Sequence, residues 1–257
     1  MEIVRKKDKL TVFFSDSTEE MARKSATAVA GRILSLLKQK DTINMIFAAA
    51  PSQSAFLDQL ISYKEIPWDR INALHMDEYI GLDESAPQRF GNFLKQALFS
   101  RVNFRNVFYL DGNNLEDGEC ERYATLLAQY PPDIVCLGIG ENGHIAFNDP
   151  HVAFFDDAAV VKPVTLDEVC RRQQVDDKCF SRIEDVPTRA LTLTIPTLLR
   201  GTYMYCIVPF KTKAEAVLRT LSGPVSETCP ASVLRTRDET YLYLDPDSAS
   251  LVDADHL

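Results

Sequence analysis

Apolar residues fall along the chain in short blocks, separated by longer stretches in which they recur at helical spacing. Residues 11–14 (Thr-Val-Phe-Phe) read as a strand, and Ser15-Asp16-Ser17 hands over to Thr18-Glu19-Glu20, a helix start with acids in its first turn. Met21, Ala28, Val29, Ile33, Leu36 and Leu37 then keep roughly helical spacing as far as the basic stretch 38–40. Strands are predicted at 44–50, 71–76, 107–110, 133–137, 191–196, 203–209 and 241–245. Helices are predicted from Ala55, over 88–94, over 115–129, in the first part of 168–180, and from Lys211 onward. Residues 151–159 are irregular and acidic, a candidate flap. Strand and helix alternate without an internal repeat or linker. The expectation is one α/β domain over residues 1–257, doubly wound and Rossmann-like, with a mostly parallel central sheet and helices on both faces.

The densest chemistry follows the apolar run at 133–137. Gly138, Gly140 and Gly143 let the backbone turn and approach a ligand, and His144, Asn148 and Asp149 bring groups suited to proton transfer and orientation. In an open parallel sheet, ligands bind at the carboxyl ends of the strands. A glycine-rich turn whose histidine merely caps backbone groups is the plain alternative. Pro51-Ser52-Gln53-Ser54 joins a strand to a helix N-terminus, an arrangement that binds phosphate but is also an ordinary capped loop. Asp77 and Glu78 follow a strand and point to different sides, so at most one faces a given pocket. Lys213, just after another strand, either waves in solvent or leans over a strand-end phosphate.

Composition narrows the class. With 257 residues, 46% of them hydrophobic, the chain can bury a full core. A formal net charge of -9 argues against a nucleic-acid surface, while a small anion needs only a few local donors. The six cysteines show no Cys-x-x-Cys spacing and read as reduced core thiols of a cytoplasmic protein. The first eight residues carry no signal-like apolar segment, and no later run approaches membrane-spanning length.

Residues 76–82 (Met-Asp-Glu-Tyr-Ile-Gly-Leu) and 140–150 (Gly-Glu-Asn-Gly-His-Ile-Ala-Phe-Asn-Asp-Pro) closely resemble the two signatures of the glucosamine-6-phosphate deaminase family. Ser222-Gly223-Pro224-Val225, residues 229–234 and the Lys213-Ala214-Glu215-Ala216 helix start resemble it too, in the same order along nearly the whole chain. The related 6-phosphogluconolactonases share the fold but carry Arg in the place of Tyr79 and Thr-Ala-Ser after the histidine. The resemblance implies a reaction in which an amino-sugar 6-phosphate and water give a ketose 6-phosphate and ammonia. It implies Asp77 as the base that moves a proton between C2 and C1, His144 as the ring-opening group, and Asp149 as its orienting acid. Asn142 stands where the family usually has Asp. For the phosphate it implies Ser52, Gln53 and Ser54 with Gly143 and Lys213, and by position Lys178 in place of an Arg. No metal and no cofactor are implied.

Three readings stay open from the sequence. The first is a deaminase/isomerase acting on glucosamine-6-phosphate or its galacto epimer. The second is a phosphosugar lactonase on the same scaffold, and the third a non-catalytic sugar-phosphate sensor. The expected partner is a small phosphosugar, not nucleic acid or membrane, with a homo-oligomer left open. Some family members are activated by an acetylated amino-sugar phosphate held by Ser, Arg and Lys after the central motif. Here that stretch holds only Lys162, read as a solvated lysine, so hyperbolic kinetics are expected.

Overall fold

The structure is a computed structural model that describes residues 3–115 and 118–256. The strands are β1 (Ile3–Lys7), β2 (Leu10–Phe14), β3 (Ile43–Phe47), β4 (Ile71–His75), β5 (Asp77–Tyr79), β6 (Asn106–Phe108), β7 (Ile134–Leu137), β8 (Val161–Thr165), β9 (Arg189–Leu193), β10 (Tyr203–Val208) and β11 (Thr240–Leu244). The helices are α1 (Thr18–Leu37), α2 (Ser54–Ile61), α3 (Phe90–Leu94), α4 (Glu119–Gln129), α5 (Glu168–Asp176), α6 (Ile195–Leu198) and α7 (Ala214–Ser222). Two positions of the helix predicted over 115–129, Glu116 and Asp117, lie outside the described residues.

Eight strands form one sheet in the order β1-β2-β11-β10-β7-β3-β4-β6, parallel except for the β1–β2 hairpin. Successive residues of a strand point to opposite faces, and the core divides accordingly. Met45, Phe47, Ile134 and Cys136 enter one apolar cluster with Val29 and Ile33 of α1 and Phe56 of α2. Ile46, Val135 and Leu137 enter the other, with Tyr123 of α4 and Val217 of α7. Both faces are thus covered by helices. The central strands are legible as continuous apolar runs for this reason. The sheet also brings the carboxyl ends of β3, β4 and β7 side by side.

Several elements depart from the sequence pattern. β1 is Ile-Val-Arg-Lys-Lys, an edge strand with little buried surface and so no apolar run. β8 buries only Val161 and Val164, and Pro163 interrupts it. The strand expected over 191–196 ends at Leu193, where α6 starts with a proline in its first turn. β5, β9 and β8 form a separate three-stranded antiparallel sheet beyond the carboxyl edge of the main one. All six cysteines are free, and Cys136, Cys170, Cys206 and Cys229 are buried. Among the described residues no helix is long and apolar enough to cross a membrane.

Candidate active site

β4 delivers its chain end to the site, and β5 then turns away to pair with β9, setting Asp77 opposite Thr192. Strand alternation separates the adjacent carboxylates as expected. Asp77 lines a pocket with Ser52, Gln53, Phe90, His144 and Phe147, while Glu78 faces the start of α3. There the Glu78 carboxylate accepts the N–H groups of Phe90 (3.0 Å) and Gly91 (2.9 Å), which a helix start leaves unpaired. Asp77 is 5% exposed, and its carboxyl has no hydrogen-bond partner among the described residues. Burial, reinforced by the charge of Glu78, pushes its pKa well above the usual carboxylate range.

His75, which the sequence offered only as a strand residue, supports Asp77 from behind. The Leu110 N–H donates to His75 Nε2 (2.9 Å), so Nδ1 carries the proton and donates to the Asp77 carbonyl oxygen (3.0 Å). Burial holds His75 neutral, with its pKa down at about 4.

The loop after β7 builds the second half. Gly140 lies under the imidazole of His144, and a Cβ there would come within 2.0 Å of His144 Cε1. Gly143 has φ +90, and a Cβ would meet Cys229 Sγ at 2.9 Å. Asn142 is therefore not the left-handed residue of this turn; its neighbour is. Asn142 instead works through its side chain. Its Nδ2 donates to Asp149 Oδ1 and to Asp167 Oδ2, both at 2.8 Å. The amide oxygen is thereby turned to His144, accepting from its backbone N–H (3.0 Å) and from Nδ1 (2.8 Å). Asp149 Oδ1 is also 3.1 Å from Nδ1, and Asp149 Oδ2 accepts the Asp167 N–H (3.0 Å). Nδ1 is the protonated nitrogen in this arrangement, which leaves the Nε2 lone pair free for the pocket. Burial alone would raise the pKa of Asp149. The hydrogen bond from His144 and its attraction for the carboxylate when the ring is protonated, with the donors from Asn142 and Asp167, outweigh it and hold the carboxylate low. Asp167, the N-cap of α5, belongs to this network although nothing in the sequence singles it out.

Asn148 is fully buried and pins the loop to β9, its Nδ2 donating to Leu193 O (2.8 Å) and Ile145 O (2.9 Å). The spacing of the sequence shows no metal-ligand cluster, yet the fold gathers ligand atoms of His144, Asp149 and Cys170 within 4.8 Å. Those of His144 and Asp149 are engaged with each other and with Asn142 and Asp167, and burial keeps the Cys170 thiol protonated. The trio fits a hydrogen-bonded cluster better than a ligand set.

The remaining predicted residues divide. Ser52 and Gln53 line the pocket, and Gln53 Nε2 donates to Ile207 O at the end of β10 (3.0 Å). Ser54 begins α2 outside the lining. Lys213 is buried just before α7, with Nζ 3.8 Å from Glu141 Oε1. Lys178 is exposed beyond the end of α5 and lines, with Pro51 and Phe93, a cavity that adjoins the central pocket and shares Ala49, Ala50 and Phe90 with it. What α5 presents to the central pocket is Gln173 and Gln174, and Gln173 Oε1 accepts the Glu141 N–H (2.9 Å).

Residues 16–243 match the family described as glucosamine-6-phosphate isomerases/6-phosphogluconolactonase. The chain belongs to that family. Among curated members, a glucosamine-6-phosphate deaminase of Listeria monocytogenes is 32% identical over 211 residues, which cover 82% of this chain and 88% of that protein. One of Streptococcus pneumoniae is 31% identical over 224 residues, covering 85% and 92%. Among solved structures, one described as a monomeric glucosamine-6-phosphate deaminase superposes with a TM-score of 0.85 at 31% identity, covering 93% of this chain and 99% of that one. A 6-phosphogluconolactonase of Thermotoga maritima reaches 0.75 at 20% identity, covering 92% and 99%, which shows the shared family fold.

Proposed function

We propose that the chain is an amino-sugar-6-phosphate deaminase/isomerase, converting glucosamine-6-phosphate or its galacto epimer and water to the ketohexose 6-phosphate and ammonia. The single observation that carries this reading is the pairing within one pocket of an unpartnered buried carboxyl, Asp77, and a histidine with Nε2 free, His144. A closed pyranose opens when a base takes the anomeric hydroxyl proton and an acid protonates the ring oxygen. His144 can shuttle that proton through Nε2, while Asp149 and Asn142 hold its ring. Isomerisation then needs one base to remove a proton from C2 and return it to C1. Asp77 suits it, because a raised pKa brings a carboxylate closer to the acidity of a carbon acid. The phosphate is assigned to Ser52, Gln53 and Lys213, with Ser54 as the first residue of the helix behind them. Gly143 contributes by letting the histidine loop turn.

A cytoplasmic location goes with this reading, because free buried thiols suit a reducing compartment. Self-association is an extension of it, to be read by sedimentation. Ammonia release from the glucosamine and galactosamine 6-phosphates, measured beside hydrolysis of 6-phosphogluconolactone, tests the reading. Ammonia from one epimer supports it, and lactone hydrolysis without ammonia contradicts it.

Regulation by an acetylated amino-sugar phosphate is not expected. Lys162 is no solvated lysine: its Nζ donates to Asp157 Oδ2 (2.5 Å) and Val152 O (2.6 Å), so it is committed within its own segment. Substrate curves should be hyperbolic, and N-acetylglucosamine-6-phosphate should leave them unchanged. A sigmoidal curve that this compound makes hyperbolic would contradict the assignment.

A further inference from the structure

Lys213 is the cation on which the assigned phosphate subsite depends, and it is not free of acids. Its side chain is 2% exposed, and Nζ is buried without a hydrogen-bond partner among the described residues. Glu141 Oε1, 3.8 Å away, is also buried and unpartnered. The two charges attract, but the separation exceeds hydrogen-bond length, so Lys213 Nζ and Glu141 Oε1 are left without a hydrogen bond to each other, while the Glu141 carboxylate is also held by the Thr212 side chain. The two groups lie side by side, and Glu141 is next in chain to pocket-lining Gly140. Asp177 and Asp176, at the end of α5, also act on the Lys213 ammonium. An incoming phosphate therefore meets one cation among three acids.

We infer that Glu141 is a counter-charge in the phosphate subsite, a specificity-determining residue that shares Lys213 with the substrate's phosphate monoester and weakens its binding. The inference rests on the proposed reading, in which Lys213 holds the phosphate. The Glu141 backbone is fixed, because its N–H is bonded to Gln173 Oε1 at 2.9 Å. Its side chain, about one-fifth exposed, has room to swing toward solvent when phosphate oxygens approach Nζ. Each binding event then separates a buried attraction and brings two negative groups to one ammonium, which lowers affinity. Removing the charge while keeping the shape leaves Lys213 wholly to the ligand.

The test compares Glu141→Gln and Lys213→Gln with the unaltered chain, using KM for the amino-sugar phosphate and, independently of turnover, inorganic phosphate binding by calorimetry. Glu141→Gln should lower KM and tighten inorganic phosphate by about tenfold, the scale of one unit charge in a partly buried site. Lys213→Gln should weaken both. Unchanged or weaker phosphate binding in Glu141→Gln, with Lys213→Gln weakened as expected, overturns the counter-charge alone. Unchanged binding in Lys213→Gln overturns the phosphate assignment and the inference together.

Discussion

Asp77→Asn should lose turnover by about 10⁴, the upper end of what a positioned base contributes, and at the same time stabilise the protein at neutral pH. The first effect follows because an amide keeps the shape of the carboxyl yet cannot accept the C2 proton. The second follows from burial without a partner. The folded-state pKa of Asp77 lies well above its ordinary value of 3.8. Between those two values the folded chain holds a proton that the unfolded chain has released, so stability falls as pH rises through that window. Above it the full penalty persists, and the amide removes it. Melting temperature measured across pH should show the variant gaining over the unaltered chain at neutral pH and the gain vanishing in acid. Binding of the sugar phosphate should survive, so KM and kcat will separate. Near-normal turnover in this variant, or a loss of stability at neutral pH, contradicts the role given to Asp77.

Asp149→Asn should be nearly as severe, with a cause that can be followed atom by atom. Both carboxylate oxygens accept: Oδ1 from the Asn142 amide, beside His144 Nδ1, and Oδ2 from the Asp167 N–H. An amide has one acceptor oxygen, so whichever way it turns its NH₂ faces a donor. If the ring then changes tautomer, Nε2 carries the proton and the pocket loses its base; the comparable change in the serine-protease triad costs about 10⁴. The folded-state pKa of Asp149 is lowered, so its stabilising contribution is present above the ordinary carboxylate range and fades as pH falls through the lowered value. The variant should lose stability at neutral pH and be closer to the unaltered chain in strong acid.

Asn142→Asp is the complementary change. It would replace a donor that reaches two carboxylates at 2.8 Å with a third carboxylate. Like charges at that distance cannot all ionise. The variant should be destabilised at neutral pH and recover as pH falls, and its pH–rate profile should move upward, since added negative charge favours the imidazolium. The Asn at this position is thus suited to the presence of Asp167, and an unmoved profile would mean that it is only structural.

The sequence made the fold readable wherever burial was two-sided. β7 and β10 are unbroken apolar runs because helices cover both of their faces, whereas β1 and β8 are exposed or interrupted and leave no such trace. In the site, Asp77, His144 and Asp149 stood out from the sequence because they follow β4 and β7 within motifs of fixed spacing, Asp77 opening β5 and the other two lying in the loop after β7. His75, Asp167, Gln173 and Gln174 did not. Each is an ordinary polar residue of a strand, a cap or a helix until tertiary structure aims it at the pocket, at the Asp77 carbonyl oxygen or at the Asn142 amide. Lys178, placed with the phosphate from the sequence, lines the cavity that adjoins the central pocket.

The most direct measurement is the fate of carbon-bound hydrogen and of nitrogen when glucosamine-6-phosphate and its galacto epimer are each incubated with the protein in heavy water. Proton transfer through Asp77 predicts, for at least one epimer, equimolar ammonia and ketohexose 6-phosphate, with the hydrogen gained at C1 coming from C2 or, where the Asp77 carboxyl exchanges first, from solvent deuterium, and neither product with Asp77→Asn. Folded protein that yields no ammonia from either epimer, or ammonia without a ketohexose 6-phosphate, would contradict it.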